Sequence, residues 1–346
     1  MSRERLAALH AANAFDAAPL RSVMHRLHVP FDELTGTTGC EHRLLTSVQA
    51  RHRVALVGIS GSGKTSVTES VLGPTVEGLA PIPVSVSVES PDIATHPVAF
   101  AGHVVALVRR WVSAGLPREA GRVARLRDRP GATSQRFTIA PSWLGAKLEL
   151  GTELRQATAD EPVSSGERLE QAAQLLAIIE AHDLLPVLVL DDTDRWLNLS
   201  WQPDSEAARA AFFGRVVRVL AEDLATAAIV AVHPTYLRDP NYRAAAGFLD
   251  TTIRIPALAG PAAVHRVLAR RAGLALDEPE DAALSGLLDP GAVALLFEQY
   301  RAVPDLRQRI LQVMHVALTL AVDERAEVIR EGHVRAALTE TVIDPD

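Results

Sequence analysis

The run Gly58-Ile59-Ser60-Gly61-Ser62-Gly63-Lys64-Thr65 constrains this chain more than any other feature. It matches G-x-x-x-x-G-K-[ST] in full. Before it stands a short apolar run, Val54-Ala55-Leu56-Val57, and after it a helical pattern from Lys64 to Leu72 that stops at Gly73-Pro74. A buried strand feeding a glycine-rich loop and then a helix is a phosphate cradle. Glycines let the backbone curl until several N–H groups face one phosphate chain, and the helix start adds the positive end of its dipole. The expected nucleotide-binding residues are therefore Gly58, Ser60, Gly61, Ser62, Gly63, Lys64, Thr65 and Ser66. Lys64 is expected on the β- and γ-phosphates, and Thr65 offers its hydroxyl to Mg2+.

Such a loop needs a parallel sheet behind it, and the chain supplies further strands. Pro83-Val84-Ser85-Val86-Ser87-Val88 alternates apolar and small polar residues as a strand does. Residues 185–190 are a continuous apolar run, as in a strand buried on both faces. Residues 228–232 repeat that pattern, and 252–255 form a shorter strand. Helical patterns lie between them: residues 99–113, then Leu169, Ala172, Leu175, Leu176 and Ile179 behind a capping box at Ser164-Ser165-Gly166-Glu167, then Phe212, Val216, Val217 and Leu220. This alternation predicts an α/β fold, a P-loop parallel sheet with helices on both faces. From Pro261 onward the strands disappear. Helices are expected over 261–271, 289–300, 304–322 and 331–338. The expected organisation is an N-terminal helical segment (1–50), a P-loop core (51–258) and an all-helical lid domain (259–346). An insertion at about 109–156 in the core carries an arginine-rich segment and a hairpin built from 135–139 and 146–150.

The run Val187-Leu188-Val189-Leu190-Asp191-Asp192 ends a buried strand on two carboxylates. Successive strand residues point to opposite faces, so one acid can serve a metal and the other a reacting water. Asp191 is the expected Mg2+ residue and Asp192 the expected general base. Asp194 is expected to cap a helix starting near Arg195, and Trp196 and Trp201 to pack. The strand at 228–232 lies between the phosphate-loop strand and the acidic strand only if the sheet has an extra inserted strand, an arrangement that the sequence separation fits.

Charge and cysteine usage narrow the partners. A net charge of −7 argues against a protein that coats nucleic acid by bulk attraction. Between Arg109 and Arg129, however, seven arginines stand against two acids, Glu119 and Asp128, which makes either a surface for nucleic acid or an acidic partner, or a solvated face. The lone Cys40 excludes an intrachain disulfide and a cysteine metal cluster, and a reducing cytoplasm is the expected home. The N-terminal residues lack the apolar core of a signal peptide, and no apolar run approaches the ~18 residues that span a bilayer.

Taken together, GISGSGKT, VLVLDD, the strand ending at His233 and the helical C-terminal part resemble an AAA+ ATPase, in particular the origin-recognition-type initiators and the related STAND signalling ATPases. The resemblance covers roughly residues 35–340. It implies that His233, at the tip of the fourth core strand, senses the γ-phosphate. Val303-Pro304-Asp305-Leu306-Arg307 resembles the sensor 2 pattern, with Asp305 capping the helix and Arg307 reaching the nucleotide. An arginine finger from a neighbouring subunit is also implied. Of Arg238, Arg243 and Arg254, Arg243 is the choice. The implied activity is Mg2+-dependent ATP binding and hydrolysis between core and lid, used as a conformational or assembly switch on a protein or DNA partner, in a homo-oligomer or with a partner protein. Alternatives are a DNA-associated initiator or transposition helper, and a P-loop small-molecule kinase. The chain has no N-K-x-D guanine motif, so ATP is the expected base. Initiators carry a winged-helix domain after the lid. Here about eight residues follow the last expected helix, so DNA contact is expected from the arginine segment or a ring pore.

Overall fold

A computed structural model describes residues 2–17, 21–36, 39–73, 76–86, 92–119, 121, 123, 165–197, 205–302 and 307–340. Arg122, Arg125, Arg127 and Arg129, the hairpin expected at 135–150, the capping Ser164 and Asp305, and Trp201 lie outside the described residues. The chain forms two compact units. One holds Met1–His42, Ile59–Val71 and Arg254–Asp346, and the other holds Arg43–Gly58 and Leu72–Ile253.

A five-stranded sheet organises the second unit: β1 (Arg53–Val57), β2 (Leu79–Pro83), β3 (Leu185–Leu190), β4 (Ala227–Val232) and β5 (Thr251–Arg254), in the order β2-β3-β4-β1-β5. β1 runs parallel to β4, β4 to β3 and β3 to β2. β4 thus lies between β1 and the acidic strand β3, the arrangement that the sequence separation fits. β4 is buried at every position, and β1 and β3 at every position but their first, which is why these three read as unbroken apolar runs.

β2 departs from the expected 83–88. Its ladder begins earlier, where Leu185 N–H donates to Gly78 O at 2.8 Å. It ends where Val84 N–H donates to Val189 O at 2.8 Å. With Val84 N–H aimed at β3, strand alternation turns the nitrogens of Pro81 and Pro83 away from it. Among the described residues β2 is the edge strand, so their missing N–H groups break no ladder bond. An edge strand has a partner on one side only, and proline there masks its strand character in the sequence.

The helix Pro97–Gly115 starts on proline at its first turn, where a missing N–H is harmless. It buries Phe100, Val104, Val108 and Trp111. Against it lies the helix Ser165–Glu180, with Ala172, Leu175, Leu176 and Ile179 inside. Both pack on the sheet face formed by Ala80, Ile82, Leu188, Leu190, Val230 and Val232. Each large apolar side chain so buried contributes roughly 1.5–3 kcal/mol. The helical stretch from Ser205 to Glu222 carries a π-turn at Phe212–Val216. Its wider turn is accompanied by two successive buried rings, Phe212 and Phe213, which meet Trp196, Tyr236 and Tyr242 edge to face.

The first unit is helical. Its helices Pro261–Leu276, Glu280–Ala283, Pro290–Ala302, Arg307–Asp323 and Glu331–Glu340 account for the C-terminal part. The N-terminal helix Ser2–Ala11 packs on Arg307–Asp323 and Pro261–Leu276 through buried Leu6 and Leu9. Arg5 ties it down by pairing with Glu278 at 2.5 Å. The helix Arg21–Leu27 lies along Lys64–Val71, the helix after the phosphate loop. Among the described residues no helix is long and apolar enough to cross a membrane.

Candidate nucleotide-binding site

In the sheet unit, register brings three strand ends to one edge. Val57 pairs with Val232 and Leu190 with Val230, so β1, β4 and β3 end side by side. Gly58 N–H donates to Val232 O at 3.1 Å and fixes where the phosphate loop leaves β1. β3 stops at Leu190, so the strand alternation expected to separate the two acids does not reach them. They lie on a left-handed turn instead: Asp192 has φ 54°, and its N–H donates to Asp191 Oδ1 at 3.0 Å. Asp191 is 8% exposed. The next helix starts at Thr193, two residues before the expected Arg195, and Thr193 Oγ1 donates to Ala231 O in β4. That bond clamps the acidic turn to the tip of β4. There, His233 Nδ1 accepts from Thr235 N–H at 3.3 Å and lies 2.7 Å from Thr235 Oγ1. An accepting Nδ1 places the proton of the neutral ring on Nε2, which is then the donor available at the strand tip. Arg243 is exposed in the last turn of the helix Pro240–Ala245.

In the helical unit, the loop from Ile59 to Ser66 curls through two glycines of positive φ, Gly61 at 74° and Gly63 at 100°. Ser62 N–H donates to Ile59 O at 3.2 Å and Val67 N–H to Gly63 O at 3.0 Å, which close the loop onto its helix. Lys64 is 7% exposed and its Nζ donates to Ile59 O at 2.9 Å, so the ammonium sits inside the curl. Arg307 reaches the same loop. A Cβ placed on Gly63 would stand 3.2 Å from Arg307 Nη1 and 3.5 Å from Phe31 Cζ. Arg307 lies over the Phe31 ring, 4.5 Å from its centroid, and donates from Nη2 to Pro256 O at 2.5 Å. Burial lowers the Arg307 pKa, against the opposing pull of Tyr300, Cys40 and Glu41.

Two buried polar atoms here have no hydrogen-bond partner among the described residues, Ser62 Oγ and Arg307 Nε. Buried donors without acceptors are uncommon and ask for a ligand. A cationic curl with unmatched donors fits a phosphate group.

No protein-family model matches the chain, and no curated protein matches it. Among solved structures, it is similar to the Aeropyrum pernix ORC1 protein in complex with DNA, with a TM-score of 0.51 and 18% identity. That match covers 90% of this chain and 66% of the other, so the chain spans just under two thirds of its neighbour's length. The chain shares the fold of that neighbour. Weaker likenesses are to Drosophila ORC bound to DNA (TM-score 0.46, 14% identity, 95% of this chain and 68% of that one) and to the Aeropyrum pernix ORC2 protein in its ADPNP-ADP complexes (0.46, 13%, 87% and 66%).

Within this fold the structure groups the expected residues in two sets. Gly58, Asp191, Asp192 and His233 share the carboxyl edge of the sheet, and Arg243 stands on a helix of the same unit. Ser60 to Ser66 and Arg307 share the other unit. The sequence reading passed over His28, Phe31 and Glu41. His28 is 5% exposed, with Nδ1 2.9 Å from Ser66 Oγ and Nε2 2.9 Å from Glu41 Oε1. Nothing in their spacing marks them, because His28 and Phe31 meet the phosphate loop, and Glu41 meets those two, only through the tertiary fold.

Proposed function

We propose that this chain binds and hydrolyses ATP and uses the bound and hydrolysed states as a conformational or assembly switch on a protein or DNA partner. The observation that carries the reading is the phosphate loop itself, in which buried Lys64 sits inside the curl, Arg307 Nη1 comes close to Gly63, and the Ser62 hydroxyl has no partner among the described residues. Gly58, Ser60, Gly61, Ser62, Gly63 and Ser66 line the path of the triphosphate, and Lys64 neutralises it. Thr65 and Asp191 are the residues to hold Mg2+, which when bound supplies positive charge to the phosphate oxygens. Asp192 acts as general base on the attacking water. His233 donates from Nε2 and Arg307 from its guanidinium, so both respond to the γ-phosphate. Arg243, exposed, is the arginine finger offered to a neighbouring copy. The single Cys40 suits a reducing cytoplasm.

DNA is favoured as the partner by one observation: the Aeropyrum pernix ORC1 neighbour is a complex with DNA. The segment between Arg109 and Arg129 is the basic surface proposed to meet it. Light scattering with ATP, with ADP and with Lys64→Ala tests the switch. ATP is expected to change mass or compactness in the native protein and to leave the variant unmoved. Identical profiles in all three would end this reading. Slow ATP turnover without any acceptor is expected of a switch, whereas turnover only with a small-molecule acceptor would mark a kinase.

A further inference from the structure

One carboxylate oxygen stands behind both sides of the phosphate loop. Glu41 Oε1 accepts from His28 Nε2 at 2.9 Å and from Phe31 N–H at 2.7 Å. The first bond fixes the imidazole: with its proton on Nε2, Nδ1 is left to accept the Ser66 hydroxyl proton across 2.9 Å. Ser66 follows Thr65 at the start of the phosphate-loop helix, so its rotamer is set by a residue outside the loop. The second bond fixes the backbone at Phe31, and with it the ring on which the Arg307 guanidinium rests and whose Cζ lies next to Gly63. His28 and Phe31 also touch each other edge to face, with centroids 5.6 Å apart. Burial raises the Glu41 pKa, but the hydrogen bonds from His28, Phe31 and its own amide outweigh that and hold it below the ordinary carboxylate value. The carboxylate is therefore charged at neutral pH, and its bonds are the stronger charge-assisted kind.

We propose that Glu41 is a positioning residue that sets both arms of the phosphate grip, Ser66 through His28 and Arg307 through Phe31. Its effect on nucleotide rests on the proposed function, whereas the brace itself is a property of the protein alone. Two arms hung on one oxygen are coupled. A substitution at Glu41 disturbs both, while His28 and Phe31 substitutions each disturb one.

The test reads both levels. The Arg307 guanidinium lies over the Phe31 ring, so its Nε–H NMR resonance carries the ring-current shift of Phe31. Glu41→Ala is expected to abolish that shift and to weaken binding of a non-hydrolysable ATP analogue by about tenfold. Glu41→Gln keeps an oxygen for both bonds and is expected to retain the shift and most of the affinity. His28→Ala is expected to weaken binding while keeping the shift, and Phe31→Leu to lose the shift. Should Glu41→Ala fail to fold, a shift of the Arg307 resonance in Phe31→Leu together with its retention in Glu41→Gln supports the brace. An Arg307 resonance unmoved in Glu41→Ala or Phe31→Leu overturns it, as does a Glu41→Gln protein as impaired as Glu41→Ala. Native protein that binds no nucleotide sinks the proposed function, and the resonances still decide the brace.

Discussion

Gly63 faces the guanidinium of Arg307, with only 3.2 Å between Arg307 Nη1 and the place a Cβ would take. The backbone there has φ 100°, a conformation that side-chain-bearing residues rarely adopt. Gly63→Ala therefore meets two penalties, the strained backbone and the displaced arginine. Expected is a loss of about 1–3 kcal/mol in stability, read by urea denaturation. Nucleotide affinity is expected to fall as well, because the curl of N–H groups opens. An alanine variant with native stability and affinity would show that the tight turn is not needed.

Arg307→Lys separates charge from shape. Lysine keeps the positive charge but has no planar face to lay on Phe31 and no Nε–H to offer. The expected result is an ATP-analogue affinity lower by about tenfold, the equivalent of roughly 1–2 kcal/mol of stacking and hydrogen bonding, with ADP affinity changed less. Calorimetric titration with both nucleotides checks it. Equal losses for ATP analogue and ADP would place Arg307 away from the γ-phosphate.

These residues also show what could be read before the fold was known. The phosphate loop is local, its eight positions are consecutive, and so it stood out whole. β3 and β4 stood out because central strands of a parallel sheet are buried on both faces. β2 was displaced, since an edge strand tolerates Pro81 and Pro83 and hides its pairing. The π-turn at Phe212–Val216 has no periodic signature and was passed over. Glu41, His28 and Phe31 were invisible for another reason: His28 meets Ser66 across 38 positions and Glu41 across 13. No short window holds such a contact. The same holds for Arg5 and Glu278, which join the first helix to the C-terminal ones.

Arg53 and Asp250 predict how the sheet unit responds to acid. Arg53 donates from Nε to Asp250 Oδ2 at 2.7 Å and from Nη2 to Oδ1 at 2.8 Å, and its backbone N–H adds a third bond at 2.7 Å. The Arg53 side-chain bonds are the chief cause of a lowered Asp250 pKa, with burial opposing them. A lowered folded pKa stabilises above the ordinary aspartate value of 3.8 and loses that contribution as pH falls through the folded value. The side chains are 21% and 29% exposed, so water screens the pair only in part. Asp250→Ala is expected to cost about 2 kcal/mol at pH 7, and the gap to the native protein should close in strong acid. A gap that stays constant from pH 7 to 2 would sink this assignment.

His103 works at milder pH and with a different physical origin. It sits on the helix Pro97–Gly115, with Nε2 donating to Ser85 O at 2.8 Å. Burial, helped by the charge of Arg110 and opposed by the Ser85 bond, lowers its pKa from 6.5 to about 4. The folded protein thus keeps the ring neutral where the unfolded chain binds a proton. Between pH 6.5 and about 4 the unfolded state takes up more protons, so stability falls as pH falls. The slope from this one group is at most about 1.4 kcal/mol per pH unit. His103→Gln keeps an N–H for the Ser85 carbonyl and does not titrate. Urea denaturation at pH 7.5, 6 and 5 should show the native protein losing ground to the variant step by step. Parallel stability curves for the two proteins would mean that the imidazole at this site accepts its proton as readily folded as unfolded, and the helix that carries it would not be the acid-sensitive element of the sheet unit.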